Sequence, residues 1–388
     1  MATNTLVLSE AARTLRRLAE IQLDDPVFVS VYVNLDPARF GIARERESQL
    51  DSLMHELRSW SLDDSVQHDA RTAFEADVDR IEQWTKNEMD AQGVHGVAIF
   101  ASSGSGLFET VGVAAPVGPS VHVDRTAHIE PLISVIPAEA WCVLLVNRRT
   151  GRILRGSRDR VDEIAEVHDD VHGQHDQGGW SQRRYERSVE KEVKDHVQNV
   201  CDRLFEVFKS RPFDKLLIGC PAELRPEVES KLHPYLVERL ADHFEGEVEH
   251  ANDADVTERV RPLIEMDERR AEAQIIERLS EQLGRSDRAA AGIGAVLGAL
   301  NAKAVEILLL APGAEAPGYV CAQCEWLATS GGTCPVDDAP LVAVDNVVAP
   351  AARSAVLQSA TVHEVRYHEP DTALSAPFAA LLRFDVPT

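Results

Sequence analysis

The chain has 388 residues, 44% of them hydrophobic, with 64 acidic against 40 basic side chains and a formal charge of −24. That length predicts two or three domains, each able to bury its own core. The longest apolar runs, Val143–Val146 and Ile307–Ala311, are too short for a membrane span, and neither an export signal nor a disulfide-rich composition is present, so a cytosolic protein is expected.

In chain order, a helix is predicted near Leu8–Ile21, followed by a strand at Val27–Asn34, where β-branched and aromatic residues crowd together. Helices follow at Glu45–Trp60 and His68–Met89, strands at Gly96–Ala101 and Leu107–Val113, and a helix near Ile129–Ile136. Strands at Trp141–Asn147 and Gly151–Gly156 form a predicted hairpin turning at Arg149-Thr150-Gly151, with Asp162–Val167 after it. From Gln182 to about Ser210 the apolar residues Val189, Val193, Val197, Val200, Leu204 and Val207 recur at helical spacing, which predicts a long helix with one buried face. It should pack on the apolar strand Lys215–Cys220, with Pro212 marking its end. Further helix is expected over Ala222–Leu240, a polar break at His250–Asp255, and helices at Arg270–Leu283 and Ala289–Leu300. Gly292, Gly294 and Gly298 in the last of these are read as allowing close helix-to-sheet packing, and strands are expected at Val305–Leu310 and Ala379–Phe384.

Net negative charge argues against a polyanionic partner, yet its distribution is uneven. Six arginines lie between Arg148 and Arg160 against one acid, Asp159, and Arg39, Arg44 and Arg46 surround a turn near the amino terminus. The arginine-rich hairpin is either a solvated face paired to neighbouring helices or a strip that grips RNA phosphates. Between Asp162–Val167 and the long helix runs a loop without apolar periodicity, His172-Gly173-Gln174-His175-Asp176-Gln177-Gly178-Gly179-Trp180-Ser181, leading into Gln182-Arg183-Arg184. Adjacent glycines let a backbone enter a narrow, phosphate-lined site. The nearby His168, His172 and His175 with Asp169, Asp170 and Asp176 lack a regular scaffold for metal, and Ser181 lacks the setting of a nucleophile elbow.

Cys321-x2-Cys324 followed by Cys334 has zinc-knuckle spacing, with Asp337 where a fourth ligand belongs. One structural zinc on Cys321, Cys324, Cys334 and Asp337 and a metal-free remnant of such a site are both open readings. Cys142, Cys201 and Cys220 stand singly in apolar segments as buried thiols.

Gly178-Gly179-Trp180-Ser181-Gln182 opening a long helix, together with the stretch from Gly292-Ile293-Gly294-Ala295 to Glu306-Ile307-Leu308-Leu309, resembles the archaeo-eukaryotic class-one peptide-release-factor superfamily over nearly the whole chain. Ser30-Val31-Tyr32-Val33-Asn34-Leu35-Asp36-Pro37 is similar to the opening strand of its bacterial branch, which includes ribosome-hibernation factors, and Cys321-Ala322-Gln323-Cys324 sits where members often carry a small zinc-binding insertion. The resemblance implies three α/β domains in a release-factor-like architecture: residues 1–136 facing the decoding centre, 137–260 carrying the loop 172–184 toward the peptidyl-transferase centre, and 261–388 with the cysteine cluster 321–337. It implies binding as a monomer in the ribosomal A site, with elongation factor Tu as a candidate delivery partner. The residues expected to face 16S and 23S rRNA are Arg39, Arg44, Arg46, Arg148, Arg149, Arg152, Arg155, Arg158, His172, His175, Gly178, Gly179, Trp180, Ser181, Gln182, Arg183 and Arg184.

Two departures bear on activity. In releasing members a glutamine follows the two glycines at once and helps place the attacking water, whereas here Trp180 and Ser181 intervene before Gln182. No Asn-Ile-Lys-Ser-type tetrapeptide for stop-codon inspection is found, although Pro37–Arg44 has the place and charge of a decoding-centre contact. The expectation is therefore a non-catalytic, stress-linked factor that shields both centres of idle or stalled ribosomes. The alternative is a rescue factor that hydrolyses peptidyl-tRNA with Gln182.

Overall fold

The computed structural model describes residues 10–23, 27–40, 42–60, 68–89, 95–113, 116–135, 139–169, 182–246, 248–285, 287–368 and 378–386. The chain is α/β, and it divides into two compact units, residues 1–9 with 137–268 and residues 10–136 with 269–388.

In the unit containing residues 137–268, β5 (Trp141–Val146), β6 (Thr150–Gly156) and β7 (Val161–His168) form an antiparallel meander. β8 (Lys215–Gly219) and β9 (Leu240–Phe244) add parallel strands beside β5, giving the order β7-β6-β5-β8-β9. Because side chains alternate along a strand, β5 feeds two cores. Cys142, Leu144 and Val146 meet Val197, Val200, Cys201 and Leu204 of the long helix α6 (Gln182–Ser210), as its periodicity predicts. Trp141, Val143 and Leu145 meet Val256, Val260 and Ile264 on the opposite face. A Cβ on Gly151 would lie 2.4 Å from Val200 Cγ2, so glycine there sets how closely α6 approaches the hairpin. The span Ala222–Leu240 holds two short helices, α7 (Arg225–Lys231) and α8 (Pro234–Val237), and β9, which sequence reading did not anticipate, follows them.

The other unit contains three sheets. β1 (Phe28–Asn34), β2 (Gly96–Ser102), β3 (Leu107–Val113) and β4 (Ser120–Asp124) pair in the antiparallel order β3-β2-β1-β4. One face packs on Leu53, Met54 and Leu57 of α3 (Ala43–Ser59) and Phe74, Val78 and Ile81 of α4 (His68–Asn87). The other packs on Leu15, Leu18 and Ala19 of α1 (Glu10–Glu20) and Leu132 of α5 (Glu130–Val135). A second sheet has the order β10-β16-β11-β15, formed by β10 (Ala289–Ala291), β11 (Val305–Leu310), β15 (Thr361–Glu364) and β16 (Phe378–Leu382). The third, β13-β12-β14, is the cysteine-bearing insertion of β12 (Gly318–Cys321), β13 (Leu327–Ala328) and β14 (Leu341–Val344).

Three expectations are corrected. Ala289–Leu300 is not one helix: Ala289–Ala291 pair with β16, and Gly292, at a φ of 85°, turns the chain into α10 (Ile293–Asn301). Gly294 and Gly298 are exposed, and a Cβ there would meet nothing closer than 3.9 Å, so close packing does not account for them. The helix expected at Arg270–Leu283 is the second half of one 33-residue helix, α9 (Asp253–Arg285), which starts within the expected break at His250–Asp255 and runs through Pro262. Its first half presents Val256, Val260 and Ile264 to one core, and its second half presents Leu279 to another. Two local stripes replace a single one, which hides the continuity from a periodicity reading.

Candidate functional site

The glycine-rich segment 170–181 lies outside the described residues, and with it His172, His175, Gly178, Gly179, Trp180 and Ser181. Gln182, Arg183 and Arg184 form the first turn of α6. What the structure describes is the root of the segment. Asp169 N donates to Arg149 O (2.9 Å), and Thr150 Oγ1 meets His168 Nδ1 at 3.2 Å. The Asp169 carboxylate lies 2.7 Å from Nδ1 of the buried His196 and accepts from Asn199 Nδ2 at 3.2 Å. These bonds, the His196 contact foremost, hold the Asp169 carboxyl below its ordinary range. The chain entering the segment is thereby tied to the helix that leaves it. Sequence reading missed His196 and Asn199. The available signal was a histidine lying inside the apolar stripe of α6, between Val193 and Val200.

The arginine-rich hairpin splits into inward and outward parts. Arg152 is 8% exposed, its Nε bonded to Glu163 (2.6 Å) and its Nη1 to the carbonyls of Val248 (3.0 Å) and Ala251 (2.6 Å). An arginine so enclosed cannot reach a phosphate on another molecule, so the expectation that Arg152 faces rRNA is corrected: it cross-braces the hairpin. Arg155 donates to Pro212 O at 3.1 Å, and Arg158 pairs with Glu268 at 3.2 Å. Arg148 and Arg149 stand exposed at the hairpin tip, with Glu223 3.8 Å from Arg148. They flank the root of the glycine-rich segment, because Arg149 O receives Asp169 N.

Near the amino terminus, α2 (Pro37–Phe40) and α3 border an open cleft of about 690 Å³ lined by Arg39, Arg44, Ser48, Gln49 and Ser52, with Glu45 and Glu56 as well. Arg46 donates to Phe40 O at 3.2 Å and closes the turn between the helices. The structure therefore brings Arg39 and Arg44 together and gives Arg46 a backbone-holding role.

Cys321, Cys324, Cys334 and Asp337 converge, their donor atoms all within 4.8 Å of one another. They are the sole such group of potential metal ligands among the described residues. Two half-sites repeat one geometry. In the first, Gln323 N points at Cys321 Sγ (3.4 Å), Glu325 N bonds Cys321 O, and Glu325 has a φ of 60°. In the second, Val336 N points at Cys334 Sγ (3.5 Å), Asp338 N bonds Cys334 O, and Asp338 has a φ of 57°. Asp337 thus occupies in the second half the position that Cys324 holds in the first. Loss of solvent and hydrogen bonding to Asp337 push the Cys324 thiol up to about 12, while that bond, with Ala339 N, holds Asp337 down at about 2. A bound dication would reverse the thiol preference, since metal ligation requires the thiolate. Three sulfurs and one carboxylate oxygen, with backbone N–H groups aimed at two of the sulfurs, fit a structural zinc.

The profile of bacterial archaeo-eukaryotic release factor family 10 matches residues 128–265, the stretch that holds the hairpin, the loop root and α6. Peptide chain release factor subunit 1 of Methanocaldococcus jannaschii is 26% identical over 284 residues, 68% of this chain and 66% of that protein. Residues 128–265 thus carry the signature of a release-factor-like family. The corresponding protein of Methanopyrus kandleri is 26% identical over 106 residues, 27% of this chain and 26% of its own length. For that of Methanosphaera stadtmanae the figures are 24% over 204 residues, 51% and 48%, so the chain spans from a quarter to two thirds of the curated relatives it matches. Among solved structures, an archaeal translation termination factor aligns over 97% of both chains at 16% identity and a TM-score of 0.24. A ribosome-bound archaeal Pelota aligns over 98% of this chain and 96% of its own at 16% identity and 0.44. No helix among the described residues is long and apolar enough to cross a membrane.

Proposed function

We propose that this chain is a cytoplasmic ribosome-hibernation factor that occupies the A site of idle or stalled ribosomes, similar to the bacterial factor Balon, and shields the decoding and peptidyl-transferase centres without hydrolysing peptidyl-tRNA. In this reading residues 1–136 face the decoding centre with Arg39 and Arg44, residues 137–260 face the peptidyl-transferase centre, and residues 261–388 carry one zinc in the insertion. The exposed pair Arg148 and Arg149 would grip 23S rRNA beside the glycine-rich segment, and elongation factor Tu is the proposed delivery partner. One observation carries the non-catalytic part: Gln182 is the first residue of a 29-residue helix, two residues beyond the position directly after Gly178-Gly179. Two intervening residues can carry the backbone of Gln182 away from that position by up to ~3.3–3.6 Å each.

Co-sedimentation with purified ribosomes tests the proposal. The protein should pellet with vacant ribosomes and be displaced by A-site tRNA. Pelleting that is indifferent to A-site tRNA would place it elsewhere, as an RNA-binding adaptor.

A further inference from the structure

A second surface of the unit containing residues 137–268 is unexplained by burial. At the end of α6 and around α8, rings stack in a ladder. Phe205 lies parallel to His233, 3.8 Å between centroids at 11°, and His233 lies 5.1 Å from Tyr235 at 50°. Lys209 Nζ lies over the Phe205 ring at 5.1 Å, and Arg239 lies over Phe208 at 4.7 Å. The outermost ring is open, since Tyr235 is 56% exposed.

The ladder is held rigid from behind. Leu232 and Leu236, on either side of it in sequence, are buried in the sheet core. His233 Nδ1 accepts from Tyr235 N (3.3 Å), and Arg239 donates to Tyr235 O (2.7 Å) and Phe213 O (3.1 Å). Tyr235 is therefore presented outward on a fixed backbone, and binding a flat partner would require little reordering. Arg203 pairs with Glu206 and Lys231 with Glu227, while Lys209 and Arg211 add two cations at the end of α6 and Arg239 a third beside Phe208. An open aromatic face beside cations suits a base and its phosphates, because every base has a π-face to stack and phosphates select the positive edge. A protein partner would gain from the exposed Val237, but the local positive balance does not call for one.

We propose that this ladder is a binding surface for single-stranded RNA, one base stacking on Tyr235 and the neighbouring phosphates lying against Lys209 and Arg211. The site is independent of the A-site reading, because it requires an unpaired RNA segment and no ribosome.

The test uses the full chain and fluorescently labelled oligoribonucleotides of about 12 nucleotides, single-stranded and duplex, followed by anisotropy at several salt concentrations. Single strands should bind and duplexes should bind more weakly. Tyr235→Ala should weaken single-strand binding by about 10-fold, while Tyr235→Trp, which keeps a stacking face, should retain it. Lys209→Ala should lower the salt slope by about 0.7, the value of one lost phosphate contact on a single strand. Equal affinity of wild type and Tyr235→Ala would overturn the proposal, as would the absence of single-strand binding. Loss of ribosome association in both Tyr235→Ala and Val237→Ala with unchanged oligonucleotide affinity would also overturn it and assign the surface to a protein. Tyr235→Trp guards against a folding artefact, because its binding should survive where that of Tyr235→Ala is lost.

Discussion

At the scale of single residues, the Asp169 carboxylate and the buried His196 form a clasp, 2.7 Å apart, that ties the chain after β7 to α6 at the root of the glycine-rich segment. Asp169 is one of several acids around the glycine-rich segment and His196 one of 14 histidines, and only folding brings the strand end onto α6. Its electrostatic consequence can be measured. The Asp169 carboxyl is held below its ordinary value by His196 and Asn199, so its contribution to stability is complete above the unfolded carboxylate value of about 3.9 and is lost as pH falls through the lower folded value. Denaturant unfolding of wild type and Asp169→Asn should therefore show a gap that is constant above about pH 5 and shrinks in more acidic solution. A gap that widens on acidification would mean that the pair stabilises the protonated carboxyl instead.

Elements decide what the charged residues can do. In the hairpin, strand alternation and the β6–β7 register send Arg152 into a cage of Glu163 and two carbonyls, whereas the turn leaves Arg148 and Arg149 outside. Arg152→Ala should lower unfolding stability on the order of 2 kcal/mol by stripping charged hydrogen bonds from a nearly buried site. Arg148→Ala with Arg149→Ala should leave stability nearly unchanged, weaken ribosome binding and reduce its salt slope by about 2, one for each phosphate contact. An unchanged slope in that double variant would take the hairpin tip out of the interface. The insertion offers a parallel case, since its paired half-sites leave Asp337 where a fourth cysteine would stand. Purified protein should carry one zinc per chain by elemental analysis, and Cys324→Ser should release it, with tryptophan fluorescence reporting a local change near Trp326 and the other sheets intact. Zinc retained at full stoichiometry by Cys324→Ser would show that the ligands lie elsewhere.

For the whole molecule, the proposed occupancy of the A site would rest on several contacts, so removing one should weaken binding and not abolish it. Deleting Gln174–Ser181 should loosen ribosome association, Gln182→Ala should change it little, and neither wild type nor variant should release peptide from peptidyl-tRNA in a single-turnover assay. Hydrolysis by wild type that falls by ~10²–10³ in Gln182→Ala, the effect of losing an oriented donor, would establish the rescue activity and remove the hibernation reading. Much of this architecture was legible beforehand. The stripe of α6, the strands at Leu107–Val113 and Val305–Leu310, and the cysteine spacing follow from local periodicity and chemistry, which one segment carries by itself. Tertiary structure alone decided the fate of Arg152, the His196 clasp, the Ala289–Ala291 strand and the passage of α9 through Pro262. Each depends on a partner distant in sequence: an arginine is inward only if a carbonyl cage closes over it, three alanines become a strand only when Ala379–Leu381 lie alongside, and a proline is tolerated in a helix where Val260 and Ile264 on either side of it are buried against Trp141, Val143 and Leu145.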